Sequence, residues 1–480
     1  MTEFLPFQFK YHPSGQVLLV NECGDYSFVS QETFEEIISG NFTQENDQYF
    51  DLQSRLFLKK MNNDEFSLQK ASAKYRSRKA YLRDFSSLHM MVVTLRCNQR
   101  CEYCQVSCAE QDAHKYDMPV QTALKIVDTI FESPSKSIKI EFQGGEPTLH
   151  WEVVKTTVLY AKEKQQGSDK ALYFVLCTNL TGITKEQLLF CHEHGICIST
   201  SLDGAKSLHD KHRPLRAGGS SYDLFIRNLF LAREIVGEDN VDALMTTTAF
   251  SLEKFPEVIE EYIALGFNGI FIRSLNPYGF AAEQSGMLGY GMNEFVAAYT
   301  EALQHILTIN KTRFFPEHFA TILLSRILTP FSTGFVDLQS PSGAGISGVI
   351  YDYDGSVYPS DEARMLARMG DAHFNLGNVH QNPYKEIFGG SKLKNIIKNA
   401  CVEATPSCAY CVYQAYCGTD PVRNYLESGS EVRKMEGTPF CIKHKGIFDF
   451  IFSLLANMSE EDENIIWSWI TRSPTVDRNA

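Results

Sequence analysis

Short apolar runs alternate with amphipathic stretches between residues 88 and 275, and this alternation constrains the fold more than any other feature. The apolar runs occupy 88–95, 137–142, 171–177, 196–201, 243–249 and 269–274. Helical patterns occupy 120–131, 151–165, 184–194, 222–236 and 252–265. Strand–helix alternation predicts an α/β fold with a parallel sheet and helices on its outer face. Six units favour a partial (β/α)6 barrel over the closed eight-unit form, with ligands at the carboxyl ends of the strands.

Two flanking regions differ from this central part, so we predict three domains, at 1–85, 86–310 and 311–480. In the first, strand patterns at 16–20 and 26–29 flank a turn, and a helix at 31–39 ends at Gly40. This order predicts a small α+β module, and the basic stretch 70–83 predicts an exposed helix or a linker. The third region has a hairpin signal at Asp354-Gly355, a helix pattern at 445–457 and a polar tail.

Bulk properties exclude several classes of protein. The formal net charge is −13, which argues against nucleic-acid binding through a positive surface. We find no signal peptide and no apolar run near the roughly 20 residues of a membrane span, so we expect a cytoplasmic protein without a membrane partner. The chain has 13 cysteines, an odd number. In a large cytosolic chain, clustered cysteines indicate metal ligands rather than disulfides.

The first cysteine cluster follows the first predicted barrel strand. Cys97, Cys101 and Cys104 form a C-x-x-x-C-x-x-C pattern. A loop of this kind can place three thiolates on a 4Fe–4S cluster and leave the fourth iron without a protein ligand. The alternative is a zinc site, for which Cys108 could provide the fourth thiolate; otherwise we expect Cys108 to be a bystander.

Further motifs follow the next three strands. Gly144, Gly145, Glu146 and Pro147 follow the second strand, Cys177-Thr178-Asn179 ends the third, and 199–204 ends the fourth. Without the cysteines, the glycine pair would indicate only an ordinary loop.

Taken with the cysteines, these residues resemble the motifs of radical S-adenosylmethionine (SAM) enzymes over residues 88–275. The resemblance implies that SAM binds the open iron of a 4Fe–4S cluster. It also implies that Gly144 and Gly145 allow a close approach to the methionine part and that Glu146 accepts from its ammonium group. Asn179 and Ser201 are the expected contacts of the ribose and carboxylate. Residues 209–213 follow the motif at 199–204, as they do in peptide-modifying members of the family. For this segment we favour a role in loop structure.

A second cysteine cluster lies at 401–441. Cys408, Cys411 and Cys417 have C-x-x-C-x5-C spacing, and Cys441 follows. This pattern resembles the SPASM domain of peptide-modifying radical enzymes, which holds two auxiliary clusters. The resemblance assigns all four cysteines to one auxiliary 4Fe–4S cluster. The ligands expected for the other auxiliary cluster are replaced by Ser342, Ser360 and Pro421, so we predict one auxiliary cluster. Cys401 stays unassigned. A structural zinc site at the four cysteines remains the alternative.

Within this class, residues 358–366, 417–422 and 5–22 resemble the His-Xaa-Ser system radical SAM maturases. That resemblance implies a maturase that modifies a ribosomally made precursor peptide through a 5′-deoxyadenosyl radical, forming a crosslink at a side chain. It also implies a low-potential electron donor such as flavodoxin or ferredoxin and a possible second maturase. The alternatives are an anaerobic sulfatase-maturing enzyme that makes formylglycine, and a non-catalytic iron–sulfur or zinc peptide scaffold. Residues 1–85 could bind the peptide or only extend the barrel.

Overall fold

A three-stranded antiparallel sheet begins the chain in the computed structural model, which describes residues 2–59 and 64–473. The strand order is β1-β2-β3, which confirms the predicted hairpin and adds a strand before it. The predicted helix after the hairpin is also present, and it ends at Gly40 in a left-handed conformation. The elements of this part are β1 Phe7–Tyr11, β2 Val17–Asn21, β3 Tyr26–Val29, α1 Gln31–Ser39, α2 Tyr49–Ser54, α3 Asp64–Arg78 and α4 Tyr81–Asp84.

The central part alternates strands and helices as predicted. Its strands are β4 Leu88–Thr94, β5 Ser137–Gly144, β6 Ala171–Cys177, β7 Ile196–Ser201, β8 Val241–Thr246 and β9 Ile272–Arg273. Its helices are α5 Val120–Phe131, α6 Trp151–Gln165, α7 Lys185–His194, α8 Lys206–His212, α9 Ser221–Val236, α10 Phe255–Ala264, α11 Gly279–Glu283, α12 Ser285–Leu288, α13 Met292–Asn310 and α14 His318–Leu328.

Strands β4 to β9 pair in chain order, and every pair is parallel. The predicted partial barrel of six β/α units is therefore confirmed. The sixth strand is shorter than the predicted 269–274, because the backbone of Ile270 bonds to Pro316 and His318 instead of to β8.

The C-terminal part adds strands to the same sheet. Its elements are β10 Gly348–Tyr351, β11 Ser356–Tyr358, β12 Gly377–Asn378, α15 Asp361–Arg368, α16 Tyr384–Gly389, α17 Ser391–Asn399, α18 Pro421–Ser428, α19 Pro439–Ala456 and α20 Glu460–Thr471. The predicted hairpin at 354–355 joins β10 to β11, and β10 runs parallel to β4. The sheet thus has nine strands, in the order β12-β11-β10-β4-β5-β6-β7-β8-β9. It extends across the domain boundary predicted at residue 310, and the three-domain division stays a prediction.

The polar tail predicted after residue 457 is wrong over 460–471, where α20 forms. Ser459 caps this helix, and Trp469 on its inner face is only 1% exposed, with its indole N–H donating to Asn310 Oδ1 at 2.9 Å. Residues 474–480 lie outside the described part. No helix within the described residues has the length and apolarity needed to cross a bilayer.

Candidate functional site

The carboxyl ends of the barrel strands surround a cavity of about 260 Å³. The loop after β4 carries Cys97, Cys101 and Cys104, and we call it the cysteine loop. It forms one side of the cavity, and the ends of β5, β6, β7 and β8 form the other. Seven of the eight residues predicted at this site from the first cysteine cluster and the barrel motifs line the cavity, namely Cys97, Cys101, Cys104, Gly144, Gly145, Asn179 and Ser201. The strand ends thus bring together residues that lie up to a hundred positions apart in the chain.

The two glycines are required by the cysteine loop. A Cβ on Gly144 would lie 2.1 Å from the carbonyl oxygen of Thr94, and one on Gly145 would lie 2.2 Å from that of Arg96. Such contacts are impossible without moving the backbone. Gly145 N–H donates to Thr94 at 2.8 Å, and Glu146 N–H donates to Arg96 at 2.7 Å. The predicted reason, a close approach to the cofactor, is therefore incomplete, because the glycines first let β5 pack against the cysteine loop.

Glu146 is the exception among the predicted contacts. Its side chain is 1% exposed and does not line the cavity. Its carboxylate accepts from the hydroxyls of Thr148 and Thr178, both at 2.7 Å, and from Asn179 N–H at 2.8 Å. Burial raises its pKa, while these donors act in the opposite direction. In this arrangement Glu146 holds the loop after β6 in place and does not present its carboxylate to the cavity.

Asn179 connects this buried carboxylate to the cysteines. Its amide nitrogen lies 2.8 Å from Asn98 Oδ1 and 3.9 Å from Cys97 Sγ. Its side-chain Oδ1 accepts from Thr181 N–H at 2.9 Å. Because both polar atoms of its side chain have protein partners, Asn179 positions the Cys97 end of the loop.

An ion pair missed in the sequence anchors the start of the cysteine loop. Arg96 is buried, and its guanidinium donates to Asp117 at 2.7 Å and to the carbonyl oxygen of Leu149 at 2.8 Å. Asp117 also accepts from the hydroxyl of Thr94 at 2.7 Å. The sequence does not indicate that Arg96 and Asp117 form an ion pair, because residues 97–116 lie between them and only the folded loop brings them together.

A second buried network holds the other end of the loop. Asp203 is fully buried, and it accepts from Arg213 Nε at 2.9 Å and from the hydroxyl of Tyr103. Burial alone would raise the pKa of Asp203, but Arg213, His209 and His212 together hold it below the ordinary value. The 209–213 segment therefore has the structural role that the sequence favoured, since it places a cation against the carboxylate that binds Tyr103.

Cys108 is closer to the cluster than predicted. Its thiol lines the same cavity and lies within hydrogen-bonding reach of Cys97 and Cys104. The hydrogen bond with Cys108, followed by burial, raises the pKa of Cys104 well above its usual range. Arg216 binds the carbonyl oxygen of Cys97 at 3.0 Å, with its other guanidinium nitrogen 3.8 Å from Cys108 Sγ. The chain thus offers a fourth thiol beside the predicted three.

The four cysteines of the second cluster line one small cavity of about 40 Å³. Cys408, Cys411 and Cys417 reach it from the loop before α18, and Cys441 reaches it from the first turn of α19. Burial and the neighbouring thiols Cys411 and Cys441 raise the pKa of Cys408 to about 12. Four thiols around one apolar cavity fit the ligand set of a cluster, whose iron ions would supply the charge that stabilises thiolates there.

The spacing of the thiols bears on the zinc alternative. Across residues 2–59 and 64–473, no three His, Cys, Asp or Glu side chains are grouped closely enough to hold a single ion. Thiolates that bind separate irons at the corners of a cluster stand further apart than thiolates that share one zinc ion at about 2.3 Å. At the second cysteine site, an iron–sulfur cluster stays the prediction and zinc stays the alternative.

The three substituted ligand positions have structural roles. Ser360 caps α15 by accepting from Ala363 N–H at 3.3 Å, and Pro421 is the first residue of α18. Ser342 N–H donates to the carbonyl oxygen of Ala400 at 3.0 Å. Cys401 lies outside both cysteine cavities, and its thiol donates to the carbonyl oxygen of Ile397 at 3.5 Å. Cys401 therefore stays unassigned, and a single auxiliary cluster stays the prediction.

A second cavity of about 360 Å³ adjoins the first. Both cavities are lined by Glu141, Gln143, Leu244, Arg273 and Asp361. Burial raises the pKa of Asp361 to about 6 although Arg364 lowers it. The larger cavity also receives Asp337, Glu362 and Lys443, so a charged pocket lies next to the cavity at the cysteine loop.

Arg364 does not line this pocket, although it lies one turn of α15 after Asp361. It is fully buried and donates to the carbonyl oxygen of Val106 at 3.3 Å. Asp352 and Asp361 lie 3.9 and 3.8 Å from its guanidinium.

Comparison with known proteins gives the same family for the barrel. Residues 91–270 match the model of the radical SAM superfamily. A cysteine-type anaerobic sulfatase-maturating enzyme of Clostridium perfringens is 24% identical over 378 residues, which are 76% of this chain and 95% of that protein. The radical SAM cyclopropyl synthase TigE of Paramaledivibacter caminithermalis is 22% identical over 46% of this chain and 51% of that protein.

Two solved structures share the fold. The anSMEcpe enzyme with bound AdoMet has a TM-score of 0.65 at 20% identity, covering 79% of this chain and all of that one. Streptococcus suis SuiB bound to its precursor peptide SuiA has a TM-score of 0.53 at 13% identity, covering 91% and 99% of the two chains. With the cysteine loop and the cavity at the strand ends, the match identifies residues 91–270 of this enzyme as a radical SAM domain, whose chemistry depends on a 4Fe–4S cluster and S-adenosylmethionine.

Proposed function

We propose that this enzyme modifies a ribosomally made precursor peptide and forms a crosslink at one of its side chains. The observation that carries the proposal is that the two cavities adjoin. Five residues line both, so a side chain in the 360 Å³ cavity would lie against a cofactor in the 260 Å³ cavity. Radical transfer requires this direct contact, because the reacting atoms must lie within about 3.5 Å of each other.

Each part of the chain has a defined task in this proposal. Cys97, Cys101 and Cys104 would hold the radical cluster, and Gly144, Gly145, Asn179 and Ser201 would shape the S-adenosylmethionine site. When bound, these cofactors supply a 5′-deoxyadenosyl radical that removes a hydrogen atom from the peptide. Asp361 lines both cavities and is placed to accept the proton released when the new bond forms. Cys408, Cys411, Cys417 and Cys441 would hold an auxiliary 4Fe–4S cluster that accepts the remaining electron.

The N-terminal sheet is a candidate for peptide recognition. Among the residues that the structure describes, strand β1 pairs only with β2, so its outer edge is a candidate for β-augmentation. By contrast, α2 covers the outer edge of β3, where Gln48 and Arg55 bind the carbonyl oxygens of Phe28 and Tyr26. Phe9 and Tyr11 on β1 are 49% and 60% exposed. These features support peptide binding over a purely structural extension.

Formylglycine formation is the second candidate, because the relatives that match most of this chain's length are sulfatase-maturating enzymes. Both activities predict S-adenosylmethionine cleavage, so the product decides between them. The reconstituted enzyme should be incubated with S-adenosylmethionine, a reductant and either a candidate precursor peptide, taken from any short open reading frame found beside its gene, or a sulfatase peptide. A mass loss of two hydrogens in the candidate precursor peptide, with fragment ions that locate a link between two residues, supports crosslinking, and formylglycine in either peptide contradicts it. If neither reaction releases 5′-deoxyadenosine, the non-catalytic scaffold is favoured.

A further inference from the structure

A buried glutamine lies inside the cysteine loop, between the first two predicted cluster ligands. Gln99 is 1% exposed and lines the 260 Å³ cavity together with Cys97, Cys101 and Cys104. Glutamine is a residue type found mostly at protein surfaces, and a buried amide normally has hydrogen-bond partners for its polar atoms. The partners of Gln99 therefore indicate what its side chain does beside the cysteines.

The backbone of Gln99 is held in place by the segment that follows α8. Gln99 forms an antiparallel bridge with Leu215, and the N–H of Arg100 donates to the carbonyl oxygen of Pro214 at 2.9 Å. The N–H of Gln99 itself donates to Cys97 Sγ at 3.4 Å. The side chain thus starts from a fixed point next to the first cysteine.

The side-chain amide of Gln99 is only half satisfied by the protein. Its Oε1 accepts from the thiol of Cys101, with 3.6 Å between oxygen and sulfur. Within the described chain, its Nε2 is buried without any hydrogen-bond partner. A buried N–H group without an acceptor costs free energy, and an apolar side chain of similar size would avoid that cost. The packing of the loop alone therefore does not explain an amide at this position.

The hydrogen bond between Gln99 and Cys101 changes when an iron–sulfur cluster binds. Cys101 is then a thiolate ligand, which has no proton to donate and can only accept. An amide oxygen facing this sulfur is repelled by it. Because the oxygen and nitrogen of an amide are nearly equal in size, half a turn of the amide places Nε2 where Oε1 lies. Since Nε2 has no partner to lose, this rotation breaks no other hydrogen bond of the nitrogen.

We propose that Gln99 donates through Nε2 to the sulfur of Cys101 in the loaded enzyme and thereby raises the reduction potential of the radical cluster. Reduction adds one electron to the cluster, and no proton moves and no bond changes. The added negative charge is shared by the sulfur ligands, so an N–H donor stabilises the reduced form more than the oxidised form. Gln99 thus makes the electron transfer that precedes S-adenosylmethionine cleavage more favourable. The inference rests on the radical cluster of the proposed function, and it does not depend on the peptide.

The test compares two variants of the reconstituted full-length enzyme. Gln99→Met removes the N–H donor and keeps a flexible side chain of similar length. Gln143→Met is the matched control, because it makes the same change at a glutamine that lines the wall shared with the larger cavity. The reduction potential is measured by redox titration, with the reduced cluster followed by electron paramagnetic resonance. The Cys97→Ala variant provides the signal of the auxiliary cluster, which is subtracted.

We expect the equilibrium constant for one-electron reduction to fall about tenfold in Q99M, which is a shift of about 59 mV to lower potential, and to stay within about twofold of the wild type in Q143M. Both variants should bind as much iron as the wild type, because neither residue is a ligand. An unchanged potential in Q99M with full iron content overturns the proposal. Equal shifts in Q99M and Q143M also overturn it, since the effect would then come from the cavity as a whole.

A second measurement decides the matter if Q99M fails to bind iron. Cell-free synthesis provides wild-type enzyme with ¹⁵N in the side-chain amides of glutamine. Electron spin-echo spectroscopy of the reduced radical cluster, without S-adenosylmethionine, should show a ¹⁵N coupling. The coupling should persist in Q143M and in Q105M, which alters the remaining glutamine of this cavity. Absence of the coupling from a bound cluster overturns only the role of Gln99, whereas a wild type that binds no radical cluster contradicts the proposed function as well.

Discussion

Gly145 donates its backbone N–H to the carbonyl oxygen of Thr94 at 2.8 Å, and this bond joins the end of β5 to the start of the cysteine loop. The pairing explains why a glycine-rich turn and a cysteine motif occur together in this chain. With the bond from Glu146 N–H to Arg96, it holds the glycine turn against the cysteine loop, so a change in either segment should affect both.

Replacing Gly145 with Ala should therefore damage the radical-cluster site. The new Cβ would lie 2.2 Å from Arg96 O and 2.5 Å from Leu95 O, both backbone atoms. We expect a loss of about 1–3 kcal/mol in the free energy of unfolding, measured with urea, and about four fewer irons per chain. Gly286→Ala is the matched control, because a Cβ there meets nothing within 4 Å. Normal iron content in G145A would contradict this account of the turn.

Each of Cys97, Cys101 and Cys104 should be essential for S-adenosylmethionine cleavage. Replacing any one with Ala removes a ligand of the radical cluster, so 5′-deoxyadenosine release should fall to background. The absorbance of the auxiliary cluster should remain, because its four cysteines line a separate cavity. Cys197→Ala is the control, since this cysteine is exposed and lies outside both cavities. Full activity in any of the three variants would exclude the assigned radical site.

Metal analysis should give two 4Fe–4S clusters, or about eight irons per chain after anaerobic reconstitution. Replacing Cys408 or Cys441 with Ala should lower this number to about four. About twelve irons would mean that another residue restores the site lost at Ser342, Ser360 and Pro421. Four irons with one zinc would show that the second cysteine cavity is structural. Cys108→Ala tests whether the adjacent thiol contributes, and we expect it to retain the full iron content.

Peptide modification should depend on the ionisation of Asp361. Its pKa is raised to about 6 by burial, and only the ionised form can accept a proton. The peptide-dependent rate should therefore increase as the pH rises through about 6 and level off above it. Asp361→Asn should lower the rate by about 10²–10⁴-fold and remove this dependence, while S-adenosylmethionine cleavage continues. Glu362 lines only the larger cavity, so the control variant Glu362→Gln should keep the pH profile. An unchanged pH profile in D361N would assign proton acceptance to another group.

The outer edge of β1 should contribute to peptide binding. Phe9→Asp and Tyr11→Asp place a charge on the exposed face of this strand and should weaken the affinity for the precursor peptide at least about tenfold, or about 1.4 kcal/mol each. Fluorescence anisotropy of a labelled peptide provides the measurement. Phe50→Asp is the control, because Phe50 is 67% exposed on α2, away from this edge. Unchanged affinity in both β1 variants would mean that the sheet only supports the cluster domain.

The N-terminal part has a structural role in addition to any binding role. Arg78 of α3 binds carbonyl oxygens of Cys23, Gly24 and Arg326. Tyr26 packs against Phe452, with their ring centres 5.3 Å apart. A truncation starting near Ser86 would expose these surfaces, so point substitutions on β1 test peptide recognition more directly.

Local patterns in the chain were enough to predict the barrel and the ligand sets. Hydrophobic periodicity is a local property, so six strand–helix units and their order could be predicted from it. Ligand spacing is also local, which is why Cys97, Cys101 and Cys104, and also Cys408, Cys411 and Cys417, could be grouped from their positions in the chain alone.

Contacts between distant side chains, by contrast, were set by the tertiary fold. The pairing of Arg96 with Asp117 and the burial of Asp203 beside Arg213 depend on how loops cross at the strand ends. The same is true of Glu146, whose carboxylate faces Thr178 and Asn179 instead of the cavity. The joining of β10 to β4, which brings Asp361 into the barrel, also depends on long-range packing. Such contacts leave no periodic pattern in the chain, because the free energy of packing depends on the shape of the whole fold.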